Sequence, residues 1–395
     1  MNLRVVILFF CLIVFAVCKV HRFHLGRRSH RHRKVPHAHL HLQFRNSLRR
    51  KYGYTPLRTL HVHAVMNQTS DSGKGAVLNE DLINSYDTNF FGIVSAGGQQ
   101  FTMQFDTGSS DFWVPSSHCR FCIKTCGNKF FHESKSKAFR SSGVPFSITY
   151  GSGSVKGIVA SDEVSFGDLR IQNQGIGLVN VSDSCSVFDG IAGFAFKELS
   201  MTESVPPFQQ MIDQNLVEQP IFSFHLKSGS TDGGSMILGG SNSSLYYGPL
   251  TYTNLTEAKY WTFKMDFIEV HGKNSRRCES GCKAIMDTGT SLIVGPVPDV
   301  LFINSAIGAK HDETYDLYIV DCASIPHLPI IVFSIAGKEF YVKPQTYVMV
   351  YQDFCFSGFM DMRGLTYWII GDVFLRENYV EFDWGRKRIG IAPAV

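Results

Sequence analysis

Charge is scarce in this 395-residue chain, with Asp, Glu, Lys and Arg making up 18% of it, below the roughly one quarter usual in soluble domains. That shortage, beside 35 Gly and 32 Phe, excludes a charge-laced helical bundle and suits strands and turns. Long apolar runs are also missing. The single extended one, Val5–Cys18, is shorter than the roughly 20 residues that span a bilayer, and no later stretch reaches 18. Gly-Lys-Ser/Thr does not occur, and the glycines of "ITYGSGSVKG" (Gly151, Gly153, Gly157) miss Gly-x-Gly-x-x-Gly by one position, so nothing suggests a nucleotide cradle. No second Cys-x-x-Cys joins Cys119 and Cys122, and zinc is not expected. Residues 19–70 contain no Asp or Glu at all.

What is present fits a secreted precursor. Arg4 followed by Val5–Cys18 has the form of a signal peptide, with Ala16 and Cys18 placed for cleavage after residue 18. Residues 19–70 carry twelve Lys or Arg and nine His, whereas residues 71–395 have 25 Lys or Arg against 34 Asp or Glu, a formal −9. A nucleic acid or heparin-like polyanion would suit such a basic stretch, but its tethered partner is the acidic body, and tethering favours the intramolecular contact. Residues 19–76 therefore read as a removable pro-segment and intramolecular inhibitor. No nucleic-acid partner is expected, and none of the His37, His39, His41 run is assigned to a metal. Eight cysteines outlast signal removal, an even number suited to disulfides. Sequons at Asn67, Asn180, Asn242 and Asn254 agree with secretion.

From about residue 90 short β-rich runs alternate with turns, "GRKRIG" and "IAGKEF" reading as hairpin turns, while "VPPFQQMIDQNLV" and "VPDVLFINSAIGA" are the better helix candidates. Asp-Thr-Gly occurs twice, at Asp106 and Asp287. Each copy is followed by an apolar pair and glycine, ending at Gly193 and Gly371, at nearly equal distance. Duplication explains that repeat.

The segments "FDTGSSDFWVPS", "YGSGSVKG", "FDGIAGFAF", "CESGCKAIMDTGTSLIVGP" and "YWIIGDVFLRENYVEFDWGRKRIGIAPA" resemble, in order, the signatures of pepsin-family aspartic endopeptidases. The resemblance implies an all-β, bilobal fold with pseudo-two-fold symmetry, a first lobe over 77–227, a second over 228–395, and an active-site cleft between them. It implies a cofactor-free, monomeric enzyme acting on proteins and peptides at acidic pH, extracellular or lysosomal, with Asp106 and Asp287 sharing a proton. Gly108 and Gly289 then aim backbone N–H groups at the carboxylates, Ser109 and Thr290 add hydroxyls, and Thr107 and Thr288 complete the two loops. Tyr150, Gly151 and Ser152 belong to a flap, with Trp113 partnering Tyr150. Gln104 and Ile191 line the cleft, and Gln104 stands where relatives carry Val or Ile. The expected disulfides are Cys119–Cys126, Cys122–Cys185, Cys278–Cys282 and Cys322–Cys355, the second by elimination. A catalytically silent binding protein on the same fold is the competing reading, disfavoured because neither Asp nor its Gly is lost.

Overall fold

The computed structural model describes residues 75–395 apart from 120–121, 123–127, 151–152, 183–185, 274, 314–315 and 352–353. The expected signal peptide, nearly all of the expected pro-segment and the Asn67 sequon lie outside the described residues. The rest is mostly strand: an 18-stranded sheet runs through both halves, and two four-stranded sheets are built from strands of the second half. The two expected helices form at Pro207–Asp213 and Val297–Ala306, each with a proline in its first turn, where the missing N–H costs nothing. The turns form as well. Ile331–Ile335 pairs with Lys338–Val342 across Ala336 and Gly337, both at positive φ, the conformation that suits a two-residue hairpin. Asn378–Asp383 pairs with Arg388–Pro393 around the Gly-Arg-Lys turn.

Duplication is visible in the strand pairing. In the first half Gln99–Asp106 runs parallel to Gly190–Gly193, which is antiparallel to Phe112–Pro115, itself parallel to Leu169–Ser182. In the second, Cys282–Met286 runs parallel to Trp368–Ile370, which is antiparallel to Ile293–Pro296, itself parallel to Phe359–Met362. The glycines that end each apolar-apolar-Gly step are forced by this weave. A Cβ on Gly193 would stand 2.5 Å from the Ser110 carbonyl carbon, and one on Gly371 would stand 2.0 Å from the Thr290 carbonyl oxygen. Only glycine lets the crossing chains come that close.

Six antiparallel strands join the halves. Leu78–Ser85, Asp232–Leu238 and Ile221–Leu226 come from the first half; Asn378–Asp383, Arg388–Pro393 and Thr251–Ala258 come from the second. The expected lobe boundary at 227/228 falls in the hairpin turn between Ile221–Leu226 and Asp232–Leu238. Phe222 and Phe382 stack across the junction at 4.8 Å and 10°, and Trp261 meets both. All three are fully buried, so the junction is held by aromatic area and not by charge. One ion pair reinforces it: the almost fully buried Arg376 guanidinium lies 3.2 Å from Asp87 and also donates to the Thr346 carbonyl at 2.7 Å.

Leu78–Ser85 also carries a buried acid. Glu80 accepts a hydrogen bond from the Ile93 N–H at 3.2 Å, but burial outweighs that contact and pushes its carboxyl up from 4.5 to about 8. Folded Glu80 therefore keeps its proton where an unfolded chain would lose it. The resulting stability is whole below about pH 4.5 and disappears as pH rises through about 8, a change on the order of a few kcal/mol. Thermal melts from pH 4 to 8 should show falling stability, and Glu80→Gln should flatten part of the slope. An unchanged slope in the variant would show that Glu80 is not a source of it.

Candidate active site

Asp106 is the last residue of Gln99–Asp106, and Asp287 directly follows Cys282–Met286. Each is fixed by the pairing just described, since the Phe194 N–H binds the Asp106 carbonyl at 2.7 Å and the Asp287 N–H binds the Ile370 carbonyl at 2.9 Å. The two loops then clasp each other. The Thr107 N–H donates to the Thr288 hydroxyl and the Thr288 N–H to the Thr107 hydroxyl, both at 3.0 Å. Each hydroxyl donates in turn to the opposite strand: Thr107 to the Met286 carbonyl at 3.0 Å, and Thr288 to the Phe105 carbonyl at 2.6 Å.

The carboxyl groups are supported symmetrically. Gly108 N–H donates to Asp106 Oδ1 and Gly289 N–H to Asp287 Oδ1, each at 2.8 Å. Ser109 Oγ donates to Asp106 Oδ2, and Thr290 Oγ1 to Asp287 Oδ2 at 2.7 Å. A Cβ on Gly108 would lie 2.7 Å from both Asp287 oxygens, and one on Gly289 would lie 2.1 Å from Asp106 Oδ1. Each acid thus lies against the glycine of the opposite loop. Burial, and then the neighbouring Asp287 charge, hold Asp106 well above the usual carboxylate range; burial lifts Asp287 as well. The titration of each group therefore depends on the state of the other.

Beside this loop, Trp113 Nε1 donates to the Tyr150 hydroxyl at 2.7 Å. Tyr150 ends the strand Arg140–Tyr150, paired with Gly153 across a hairpin whose tip, Gly151 and Ser152, is outside the described residues. Ile191 packs with Phe91, Trp113, Phe146, Ile148 and Phe188 in a small apolar cluster that Tyr150 joins. Gln104 lies between Phe91 and Ile191 in register.

The model that matches residues 89–394 is that of the eukaryotic aspartyl protease. The chain belongs to this family. It is 40% identical over 331 residues to chymosin from Ovis aries (82% of this chain, 86% of that one), 37% over 343 residues to pepsin A from Sus scrofa (84% and 88%), and 36% over 324 residues to cathepsin D from Dictyostelium discoideum (78% and 84%). This aspartyl protease is an aspartic-type endopeptidase.

Two expected disulfides of the protease are corrected. Cys119 is bonded to Cys122, not to Cys126, which also removes Cys122 as the partner of Cys185. The two Cα atoms stand 5.6 Å apart, well inside bridging range, so the nearer cysteine is the partner. Cys126 and Cys185 lie outside the described residues. Cys278–Cys282 and Cys322–Cys355 are both bonded. Of the described sequons, Asn242 and Asn254 are exposed and Asn180 is half-buried.

Several buried acids were not evident from the sequence, Asp111 and Asp372 among them. Asp111 accepts from the Ser200 hydroxyl, the Met201 N–H and both N–H and hydroxyl of Thr202 at 2.6–3.0 Å, tying the first acid loop to the next segment. Asp372, one residue past Gly371, is 1% exposed and neither carboxyl oxygen has a hydrogen-bond partner. Burial pushes it far up, and the charges of Asp287 and Asp106 add to this, so it stays protonated. It stood inside a quoted motif, yet only the fold reveals that its side chain is sealed.

The clasp should carry measurable stability. Thr288→Ala leaves the Thr107 N–H without its acceptor and the Phe105 carbonyl without its donor, inside the protein, for an expected loss of about 1–3 kcal/mol. Urea unfolding at fixed pH measures it. A loss below a few tenths would mean that the clasp contributes only geometry.

Proposed function

We propose that Asp106 and Asp287 act as one proton-sharing unit that hydrolyses peptide bonds at acidic pH, with no covalent intermediate and no cofactor. The observation that carries this reading is the pair itself: two buried carboxyls, close enough for the charge of Asp287 to act on Asp106, and supported alike by a Gly N–H and a hydroxyl. Like charges at such range do not both ionise, behaviour already known for aspartic proteases. The ionised member takes a proton from water as the oxygen attacks the scissile carbonyl, and the protonated member gives its proton to the carbonyl oxygen. Return of a proton to the amide nitrogen then releases the amine. Thr107 and Thr288 hold the two acids in this relation, and Tyr150, with Gly151 and Ser152, covers the cleft as a flap.

The same reading includes a precursor. Residues 1–18 direct the chain into the secretory pathway, toward an extracellular or lysosomal destination, and residues 19 to about 76 act as a tethered inhibitor of the monomeric enzyme. At neutral pH twelve Lys or Arg face a body of formal charge −9, counted from 25 Lys or Arg and 34 Asp or Glu. Protonation of exposed carboxylates, with reference values near 4, weakens the hold, while the nine His charge earlier, near 6.5, and strengthen it. The backbone of Ala76 is bonded to Leu216 and Glu218, which favours a cut upstream of it.

Asp106→Asn and Asp287→Asn should each reduce cleavage of acid-unfolded globin by several orders of magnitude while thermal melting still shows a folded protein. Near-normal activity in either variant refutes the shared proton, and globin cleavage by wild type that resists a statine-type inhibitor points to a contaminant. Purified precursor should begin to lose its N-terminal segment below roughly pH 5, cut upstream of Ala76. N-terminal sequencing across a pH series checks this, with Asp106→Ala as the control; complete processing at pH 6.5 argues against the carboxylate trigger.

A further inference from the structure

Residues 102, 104 and 106 of the strand Gln99–Asp106 alternate onto one face. Thr102 is satisfied by Asp189, its N–H and hydroxyl binding Oδ2 at 2.8 and 2.9 Å. Asp106 is held by Gly108 and Ser109. Gln104 alone has no partner: its side chain makes no hydrogen bond with any described residue, although the residue is only 6% exposed. Neither of its polar atoms is sealed from solvent, in contrast to the oxygens of Asp372. The stem is therefore buried and the amide head reaches open space, about 7 Å along the strand from Asp106.

The walls around that head are apolar. Phe91 lies opposite Gln104 on one neighbouring strand and Ile191 on the other, both buried in the cluster that includes Trp113 and Phe188. In the free protein water can serve the amide. A substrate side chain pressed against this wall displaces that water. An apolar one then leaves the amide unpaired, at a cost, whereas a carboxamide or hydroxyl replaces the lost bond, and a charged head would be stripped of solvent with no counter-ion beside it. We propose that Gln104 is a specificity residue: it makes this endopeptidase favour substrates that place an uncharged hydrogen-bonding side chain against the Phe91–Ile191 wall, over apolar side chains of the same shape. This rests on the reading of Asp106 and Asp287 as the reacting pair, because that reading makes the open space beside them the substrate cleft.

The test uses peptides in shape-matched pairs, Gln against Met and Asn against Leu, at each of the two positions on either side of the scissile bond. In wild type, kcat/KM should favour Gln over Met and Asn over Leu at one of those positions. Gln104→Met, which keeps length and volume but removes the amide, should shift that ratio toward the apolar member by about five- to tenfold, the amount set by one buried hydrogen bond. Gln104→Glu, assayed where the introduced acid is neutral, should retain the preference, which a merely structural role for the side chain would not produce. Unchanged ratios at every position, or an equal loss of kcat/KM for all peptides, overturn the assignment. So does a wild-type preference for Met and Leu throughout, a result independent of whether any variant folds. Wild type that shows no inhibitor-sensitive cleavage of any peptide overturns the reading of the acid pair, and this inference with it.

Discussion

Each of two threonines binds the other's loop, and the site depends on that reciprocity. Thr107 and Thr288 exchange N–H to hydroxyl bonds and then donate across to Met286 and Phe105, so neither loop can move without breaking bonds in both halves. Because the contacts are equal in kind on the two sides, the acids next to them are presented in equivalent settings. The glycines enter for the same reason. With the loops this close, a single methyl group at position 108 or 289 would collide with the opposite carboxylate.

Such closeness raises the cost of charge. The paired acids, Asp372 behind them and Glu80 in the joining sheet are all pushed upward by burial before anything else. A molecule that hides this many carboxyls is most comfortable when they are neutral, so the condition that loads the pair with its proton also favours the fold. Asp111 and Asp189 are held differently from Asp372. Both are buried, but each accepts several hydrogen bonds from neighbouring N–H and hydroxyl groups, the support that Asp372 lacks.

Much of this was legible in the residues because the chain repeats itself. Two Asp-Thr-Gly copies with matching apolar-apolar-Gly partners locate the crossing loops, and hairpin turns with Ala336–Gly337 or Arg386–Lys387 announce themselves by local chemistry. Cysteine pairing did not. Cys119 had two possible neighbours a few positions ahead, and nothing in the residue types tells Cys122 from Cys126. Nor could the sequence say that Asp372 is orphaned while Asp111 is satisfied, since the partners of Asp111 come from a segment about ninety residues away. Gln104 lies between these cases: strand alternation gave its face, and only packing shows that its amide is left free.

The joining sheet has a further implication for how such a chain can exist in pieces. Its two three-stranded parts meet along one seam, where Ile221–Leu226 pairs with Asn378–Asp383. Every residue of both strands is buried. Either half made alone would expose that seam as an unpaired edge, the kind that recruits another strand. A half-length ancestor built on the same weave would have met this demand by pairing with its own copy, and gene fusion would then have turned an encounter between molecules into a permanent fold. Split-gene versions of the present protein should inherit the same appetite for association.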